Sequence, residues 1–330
     1  MTFVERARRI ADDVFFPAAQ DVDAAERVPA IHLDLLAAEG LYGLVADPDV
    51  SFADVAGVVE ALASGDMAAT LVWIQHLTPV RALLADESPL ADSWLPALVA
   101  GERRGGIALA GIRPPTNHLR VRRQDSDFVL DGMVPWVTGW GMVDVLYVAA
   151  RDPDDVVHFL LMDAADAPTI RTDTQRLVAV QASNTVNMTF DGHRVPLDRL
   201  VSTKPYSQWQ SDDSTGSALN GALALGVVDR CVRLLGDGPG SSDAAGLSGE
   251  AGAVRSALLS ADAPGTADAR AAASELAWRA AATLAAWQGA RTVLRVNHAQ
   301  RLVREAAFTL VFGSRPVIRD ALLRRLHPPG

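Results

Sequence analysis

Hydrophobic residues recur at three- and four-residue spacing over roughly the first hundred positions of the chain. That spacing is typical of amphipathic helices, and glycine and proline residues divide it into separate runs. The runs are 3–15, 28–39, 52–64, 67–85 and 91–100. Ser51 and Asp54 stand at the start of the third run, so they predict a capping box with Asp in place of the usual Glu. The pattern therefore predicts an all-helical domain over residues 1–103.

The period changes to two between about residues 105 and 203. Short runs rich in β-branched and aromatic residues, such as DFVLDG and VLYVAARD, alternate with Gly, Pro, Asp and Asn. Strands that follow one another with no helix between them predict an antiparallel sheet or a small barrel. We therefore expect a central β-domain over residues 104–205.

Helical spacing returns after the β-domain. A stretch at 236–250 is rich in Gly, Pro and Ser, and it predicts a loop or a connection. Further helices are predicted within 267–289 and 292–325, and Pro316 should begin or kink the last of them. These runs predict a C-terminal helical bundle over residues 206–330.

Composition narrows the class of protein. The chain has 330 residues, a formal net charge of −10 and a single cysteine, Cys231. The acidic excess argues against a nucleic-acid surface, which needs concentrated positive charge, and one cysteine cannot form a disulfide within the chain. The charged amino terminus lacks the apolar core of a signal peptide, and no run of about 18 apolar residues is free of charge. We expect a cytoplasmic protein that neither binds nucleic acid nor crosses a membrane.

Five segments have residue patterns similar to passages of one enzyme family. They are LLAAEGLYGLVAD at 35–47, VVEALASGDMAATLVWIQH at 58–76, SWLPALVAGERRGGIALAG at 93–111, DGMVPWVTGWGMVDVLYVAARD at 131–152 and NTVNMTFDGHRVPLDRLV at 184–201. In this order they resemble the acyl-CoA dehydrogenase family. The resemblance implies an α+β fold with an N-terminal helical domain, a central antiparallel β-domain and a C-terminal helical bundle, here shortened.

Members of that family bind FAD in an extended form, with the isoalloxazine against the β-domain. By resemblance, Trp136 lies beside the flavin ring, and Thr138 presents its hydroxyl and backbone N–H near the flavin N5 and O4. Leu109 and Ala110 are expected to contribute backbone contacts, and Thr116 stands where the family has a serine on the phosphate side. Trp140 replaces a residue that is usually small or polar, and we expect it to pack in the core or at a subunit contact. No metal ligand is predicted.

A general base for removing the α-proton of a thioester is missing from both places where the family has one. Residues 311–330 keep Gly313 but contain Asp320 as their only carboxylate, and residues 214–220 contain no acid. Asp320 and Glu305 are the remaining candidates for the catalytic base, and a surface ion pair explains each of them better. The identity of the base is therefore left open.

The resemblance leaves three functions open. The first is the FAD-dependent oxidation of an acyl-CoA thioester at its α and β carbons by a homo-oligomer. The second is a non-catalytic partner subunit in a hetero-oligomer with another acyl-CoA dehydrogenase chain, which the missing Glu and the shortened bundle favour. The third is a flavin-dependent monooxygenase of the same fold, in which no α-proton base is required.

Overall fold

The computed structural model describes residues 1–86, 89–113, 119–212, 216–236, 240–260 and 263–327. The amino-terminal part is helical. Its helices are α1 (Phe3–Ile10), which continues through a wider turn at Ala11–Phe15 into α2 (Phe16–Ala24), then α3 (Ala30–Ala38), α4 (Phe52–Gly65), α5 (Met67–Leu84) and α6 (Pro89–Val99). A short 3₁₀ turn at Leu41–Ala46 joins α3 to the loop before α4.

The capping box predicted at the start of α4 is confirmed. The Asp54 N–H donates to the Ser51 hydroxyl at 3.1 Å, and the Ser51 N–H donates to the Asp54 carboxylate at 3.0 Å. Two N–H groups that a helix start leaves without intrahelical partners are thereby satisfied. The Ser51 hydroxyl also donates to the Asp54 carboxylate, and this bond, together with the one from the Ser51 N–H, holds the pKa of the Asp54 carboxyl below its usual value.

The middle of the chain forms an eight-stranded sheet. Its strands are β1 (Gly105–Ala108), β2 (Arg120–Gln124), β3 (Asp127–Val137), β4 (Val145–Arg151), β5 (Val156–Asp163), β6 (Ile170–Thr174), β7 (Val186–Pro196) and β8 (Leu200–Pro205). Seven of them lie in the order β6-β7-β3-β2-β4-β5-β8, and β1 pairs with β4. Most strand pairs are antiparallel, as predicted. Two are parallel instead: β1 with β4, and β2 with β4 at Arg120 and Arg151. The connection from β1 to β4 contains the β2–β3 hairpin and is long enough for a parallel crossover.

The carboxyl-terminal part is again helical. Its helices are α7 (Tyr206–Asp212), α8 (Gly216–Gly236), α9 (Ser241–Ser260), α10 (Ala263–Gln288), α11 (His298–Val311) and α12 (Pro316–Leu326). Pro316 occupies the first turn of α12, as predicted, where its missing N–H costs no hydrogen bond.

The loop predicted over 236–250 is wrong for most of its length, because α9 begins at Ser241. The helix buries one stripe, at Ala244, Leu247, Ala251 and Leu258, with spacings of three, four and seven residues. Packing of that stripe outweighs the low helix propensity of the glycines and serines, which compositional reasoning had counted as loop formers.

The two helical parts share one hydrophobic core, although the whole sheet separates them in sequence. Their closest packing is at Gly226 of α8, where a Cβ atom would lie 2.6 Å from the Cβ of Ala63 and 2.6 Å from the carbonyl oxygen of Glu60 on α4. The sheet has its own core, which includes Trp140 and Met188. No helix among the described residues is long and apolar enough to cross a membrane.

Candidate cofactor site

The end of strand β3 carries a β-bulge. Val134 pairs with Met188 and Val137 pairs with Val186 on β7, so two residues of β3 face a single residue of its neighbour. Pro135 is the first of the two, and it has no N–H to lose from the sheet. The sequence Val-Pro-Trp-Val therefore interrupts the ladder at Trp136, which is the second bulge residue.

Trp136 has an unusual backbone and an unusual exposure. Its φ is 61°, in the left-handed region that bulky side chains rarely adopt. Its side chain is 61% exposed, in contrast to the buried Trp140 four residues later. Residues held in such conformations cost on the order of 1–3 kcal/mol and cluster at functional sites. The bulge thus turns a large, flat aromatic ring outward at an energetic cost.

The backbone after Trp136 is fixed by buried polar groups. The Thr138 hydroxyl lies 3.2 Å from the Thr185 hydroxyl, which lies 2.9 Å from the hydroxyl of Ser183. The Gly139 N–H donates to the Ser183 carbonyl at 2.9 Å, and the Asn184 amide donates to the Trp140 carbonyl at 2.7 Å. Hydroxyl chains of this kind hold their members in one geometry, because breaking one bond leaves buried polar atoms unpaired.

The loop that supplies these groups is itself strained. It passes through a 3₁₀ turn at Gln181–Ser183, which Val180 and Asn184 flank with φ values of 53° and 40°. Val180 is β-branched and buried, so only a fixed surrounding structure keeps it in the left-handed region. Sequence reasoning missed Thr185 as the partner of Thr138 and Ser183 as the partner of Thr185. The run Ser-Asn-Thr directly before β7 was the available signal.

Leu109 and Ala110 lie next to the bulge, as half-buried residues between β1 and a 3₁₀ turn at Ala110–Ile112. Gly111 fixes this proximity: a Cβ atom at this position would be 2.9 Å from the Val134 side chain and 3.0 Å from the Met133 carbonyl. The structure therefore brings four of the five predicted cofactor residues, Leu109, Ala110, Trp136 and Thr138, to neighbouring parts of the sheet. Thr116, the fifth, lies outside the described residues.

The two candidate bases occupy different environments in the C-terminal helices. Glu305 is 4% exposed and accepts a hydrogen bond from the Arg301 guanidinium at 2.5 Å. Burial raises the pKa of Glu305 to about 7, against the opposing effect of Arg301. Asp320 is exposed on α12 and pairs with the adjacent Arg319 at 3.1 Å. Neither carboxylate has a hydrogen bond or an ion pair with the residues around Trp136 in the described part of the chain.

The chemistry of the described site suits a flat, polar ring system. It offers an exposed indole face, half-buried main chain at Leu109 and Ala110, and a buried hydroxyl held at Thr138. An aromatic ring packs well against another flat ring, and fixed donors stabilise negative charge that develops beside them. Within the described ranges, no group of three or more His, Cys, Asp or Glu side chains could hold a metal ion.

Solved structures with this arrangement of helices and sheet belong to one fold. Butyryl-CoA dehydrogenase from Megasphaera elsdenii superposes with a TM-score of 0.86 at 16% identity, covering 98% of this chain and 97% of that one. The chain has the fold of the acyl-CoA dehydrogenase family. A glutaryl-CoA dehydrogenase from Mycobacterium smegmatis in complex with FADH2 gives a TM-score of 0.82 at 16% identity, covering 99% of this chain and 94% of that one.

Curated proteins with similar sequences are consistent with this fold. A 3-sulfinopropanoyl-CoA desulfinase from Variovorax paradoxus is 27% identical over 168 residues, which are 46% of this chain and 41% of the relative. Benzylmalonyl-CoA dehydrogenase from Aromatoleum aromaticum is 26% identical over 242 residues, 67% and 62% of the two chains. The matches thus span about two fifths to three fifths of these relatives, and no protein-family model matches the chain. The resemblance to acyl-CoA dehydrogenases and the α+β fold that it implied are confirmed.

Proposed function

We propose that this acyl-CoA dehydrogenase-type chain binds FAD at the β3 bulge and takes part in the oxidation of an acyl-CoA thioester. The observation that carries the proposal is Trp136, a largely exposed aromatic in a left-handed conformation at the residue where the family resemblance expects the flavin ring. A left-handed backbone at a bulky residue costs energy, and a ligand packed on the exposed ring would offset that cost. The solved relative that holds FADH2 supports the same cofactor.

Four residues of this chain are proposed to contact the flavin, each in a different way. The Trp136 indole would cover one side of the ring and keep water from it. Thr138, whose hydroxyl is fixed through Thr185, would offer its donors to the ring edge where negative charge accumulates. Leu109 and Ala110 would border the ring through their main chain. Bound FAD would supply the hydride acceptor for dehydrogenation of a thioester.

The thioester substrate is proposed from the relatives, whose names include butyryl-CoA, benzylmalonyl-CoA and 3-sulfinopropanoyl-CoA. Dehydrogenation also needs a base for the α-proton, placed within hydrogen-bond reach of it. Glu305 is enclosed and paired with Arg301, and Asp320 is engaged by Arg319. The base therefore remains unassigned. A catalytic role for either carboxylate requires it to leave its present partner.

A second function follows from that pairing. A chain that binds flavin, or shares it with another subunit, but has no free carboxylate at the thioester would serve as the non-catalytic member of a hetero-oligomer. The engagement of both carboxylates by arginines favours this candidate. A monooxygenase of the same fold, which needs no base, is distinguished by reactivity of its reduced flavin toward oxygen.

The proposed binding of FAD is tested by incubating the purified chain with FAD and measuring its absorption spectrum and flavin content. We expect close to one flavin for each chain in the parent. Trp136→Gly removes the ring and suits the left-handed backbone, so it should lose most of the flavin while the apo form keeps its thermal stability. Trp287→Ala, at another exposed tryptophan far along the chain, is the matched control and should retain the flavin. Equal flavin content in the two variants would refute the placement.

Anaerobic mixing with acyl-CoA thioesters separates the candidate functions. Bleaching of the bound flavin by a thioester, without NADH, supports dehydrogenation by this chain alone. A flavin that stays oxidised until a second acyl-CoA dehydrogenase chain is added supports the partner subunit. A flavin that no thioester reduces under either condition contradicts the proposed substrate while leaving the cofactor result standing.

A further inference from the structure

A cavity of about 340 Å³ lies where α1 and α4 of the amino-terminal part meet α8 and α9 of the carboxyl-terminal part. It involves none of the residues around Trp136. Small residues on the facing helices leave this space. They are Ala53, Ala56 and Gly57 on α4 and Ala218 and Ala222 on α8. The same two helices approach closely at Gly226 and Ala63, which are not part of the cavity wall.

The wall of the cavity is mainly apolar. Val4, Leu225 and Leu258 complete it, and the latter two are almost fully buried. Phe52 and Leu259 also line it but are 42% and 39% exposed, so they stand at its opening. A mainly apolar cavity of this size, open at one side, suits a hydrocarbon group better than it suits water.

Four charged side chains line the cavity, two of each sign: Arg8 and Arg255, and Glu60 and Asp229. The Arg255 guanidinium makes two hydrogen bonds, at 2.5 and 2.8 Å, to the carboxylate of the buried Glu60. Both anions therefore already have an arginine partner, because Asp229 pairs with Arg233 outside the cavity as well as with Arg8.

Of the two arginines in the cavity wall, Arg8 has the weaker ion pair. It reaches Asp229 at 3.9 Å, whereas Arg233 holds the same carboxylate at 3.1 Å. The Arg8 side chain is 46% exposed and lines the cavity from α1. A guanidinium with a weak ion pair beside an apolar cavity can bind the carboxylate of an amphiphile whose alkyl chain enters the cavity.

We propose that this cavity binds a medium-chain monocarboxylate, with its alkyl chain between α4, α8 and α9 and its carboxylate at Arg8. The size of the ligand follows from the volume of 340 Å³. An apolar cavity of about 150 Å³ takes one benzene, so this cavity has room for roughly fourteen non-hydrogen atoms. A saturated acid of about eight carbons fits within that volume. The site is independent of the proposed flavin site, and a ligand here stabilises the contact between the two helical parts of the chain.

Octanoate, octan-1-ol and octylammonium are the probes for calorimetric binding and thermal unfolding of the full-length protein. Octanoate should bind and raise the unfolding temperature in a concentration-dependent way, the alcohol should bind more weakly, and octylammonium should not bind. Arg8→Gln should weaken octanoate binding by about tenfold. Arg9→Gln, on the same helix but paired with Glu39 and outside the cavity, is the matched control and should leave the affinity unchanged.

Filling the cavity gives the second test. Ala222→Leu should abolish octanoate binding, and Ala53→Leu, at an exposed position on the rim, should weaken it even if the Ala222 variant is unstable. Absence of octanoate binding to the parent would overturn the proposal. Equal binding of octylammonium, or an equal loss in Arg9→Gln and Arg8→Gln, would overturn the assignment of the carboxylate. Binding that survives both leucine variants would place octanoate elsewhere on the protein and refute the cavity as its site.

Discussion

Replacing Glu305 with glutamine should change how the stability of the protein depends on pH. Glu305 is enclosed in the shared helical core, and its Oε2 atom has no hydrogen-bond partner among the described residues. Arg301, which lies beside it, lowers its pKa, whereas the buried Asp66 and the more distant Asp23 raise it. Burial has the largest effect, and the pKa of Glu305 is raised from 4.5 to about 7.

The sign and size of the effect follow from linkage. The folded state holds the proton more tightly than the unfolded state, so the stabilisation is complete below about pH 4.5 and is lost as the pH rises through about 7. A pKa difference between 4.5 and about 7 corresponds to about 3 kcal/mol of unfolding free energy. Glu305→Gln keeps the shape and removes the ionisation, so the parent should lose about 3 kcal/mol more than the variant across this range.

Denaturant unfolding of the parent and of Glu305→Gln at closely spaced pH values from about 4.5 to 8.5 measures this difference. Asp66, whose pKa burial also shifts upward, titrates in both proteins, so only its coupling to Glu305 contributes to the difference between them. Glu250→Gln is the control, because the hydrogen bond from Arg279 lowers the pKa of that exposed carboxyl and keeps its titration away from the neutral pH range in which Glu305 titrates. Parallel stability profiles for the parent and Glu305→Gln would refute the reasoning.

Three further predictions test packing, backbone conformation and burial. Gly226→Ala should destabilise by roughly 1–3 kcal/mol, because its Cβ would meet Ala63 at 2.6 Å, whereas Gly246→Ala, in open space on α9, should stabilise by about 0.5–1 kcal/mol. Asn184→Ala should cost about 2 kcal/mol in denaturant unfolding, because it loses a buried amide hydrogen bond and places alanine at φ 40°. Cys231 is fully buried and burial raises its pKa, so a thiol reagent should modify it only at the rate of global unfolding.

Periodicity in the sequence predicted the elements that follow local rules. The Ser51–Asp54 cap and the Pro316 helix start depend on a few neighbouring residues, and both are confirmed. The helix α9 was mispredicted because its stability comes from packing Leu247 and Leu258 against other helices, which composition does not reveal. Glycine content is a local signal, and burial of an apolar stripe is a tertiary one.

The candidate site was predictable as a set of residue types but not as a geometry. The resemblance indicated Trp136 and Thr138 as site residues. It did not indicate the left-handed backbone of Trp136, because bulky residues prefer a negative φ and the bulge arises from the β3–β7 register. Likewise, Glu305 and Arg301 stand one helical turn apart in sequence, which suggests a surface pair. Their burial depends on α11 packing into the shared core, and no local pattern encodes that.

The loop before β7 has a consequence for folding kinetics. Its Ala182 carbonyl accepts from Val28, its Ser183 carbonyl accepts from Gly139, and its Val178 carbonyl accepts from Arg304. These bonds join segments far apart in the chain, so we expect the loop to reach its strained conformation late in folding, after the sheet and both groups of helices have assembled. Substitutions in this loop should therefore accelerate unfolding and leave the refolding rate nearly unchanged, which makes it a determinant of the lifetime of the folded state.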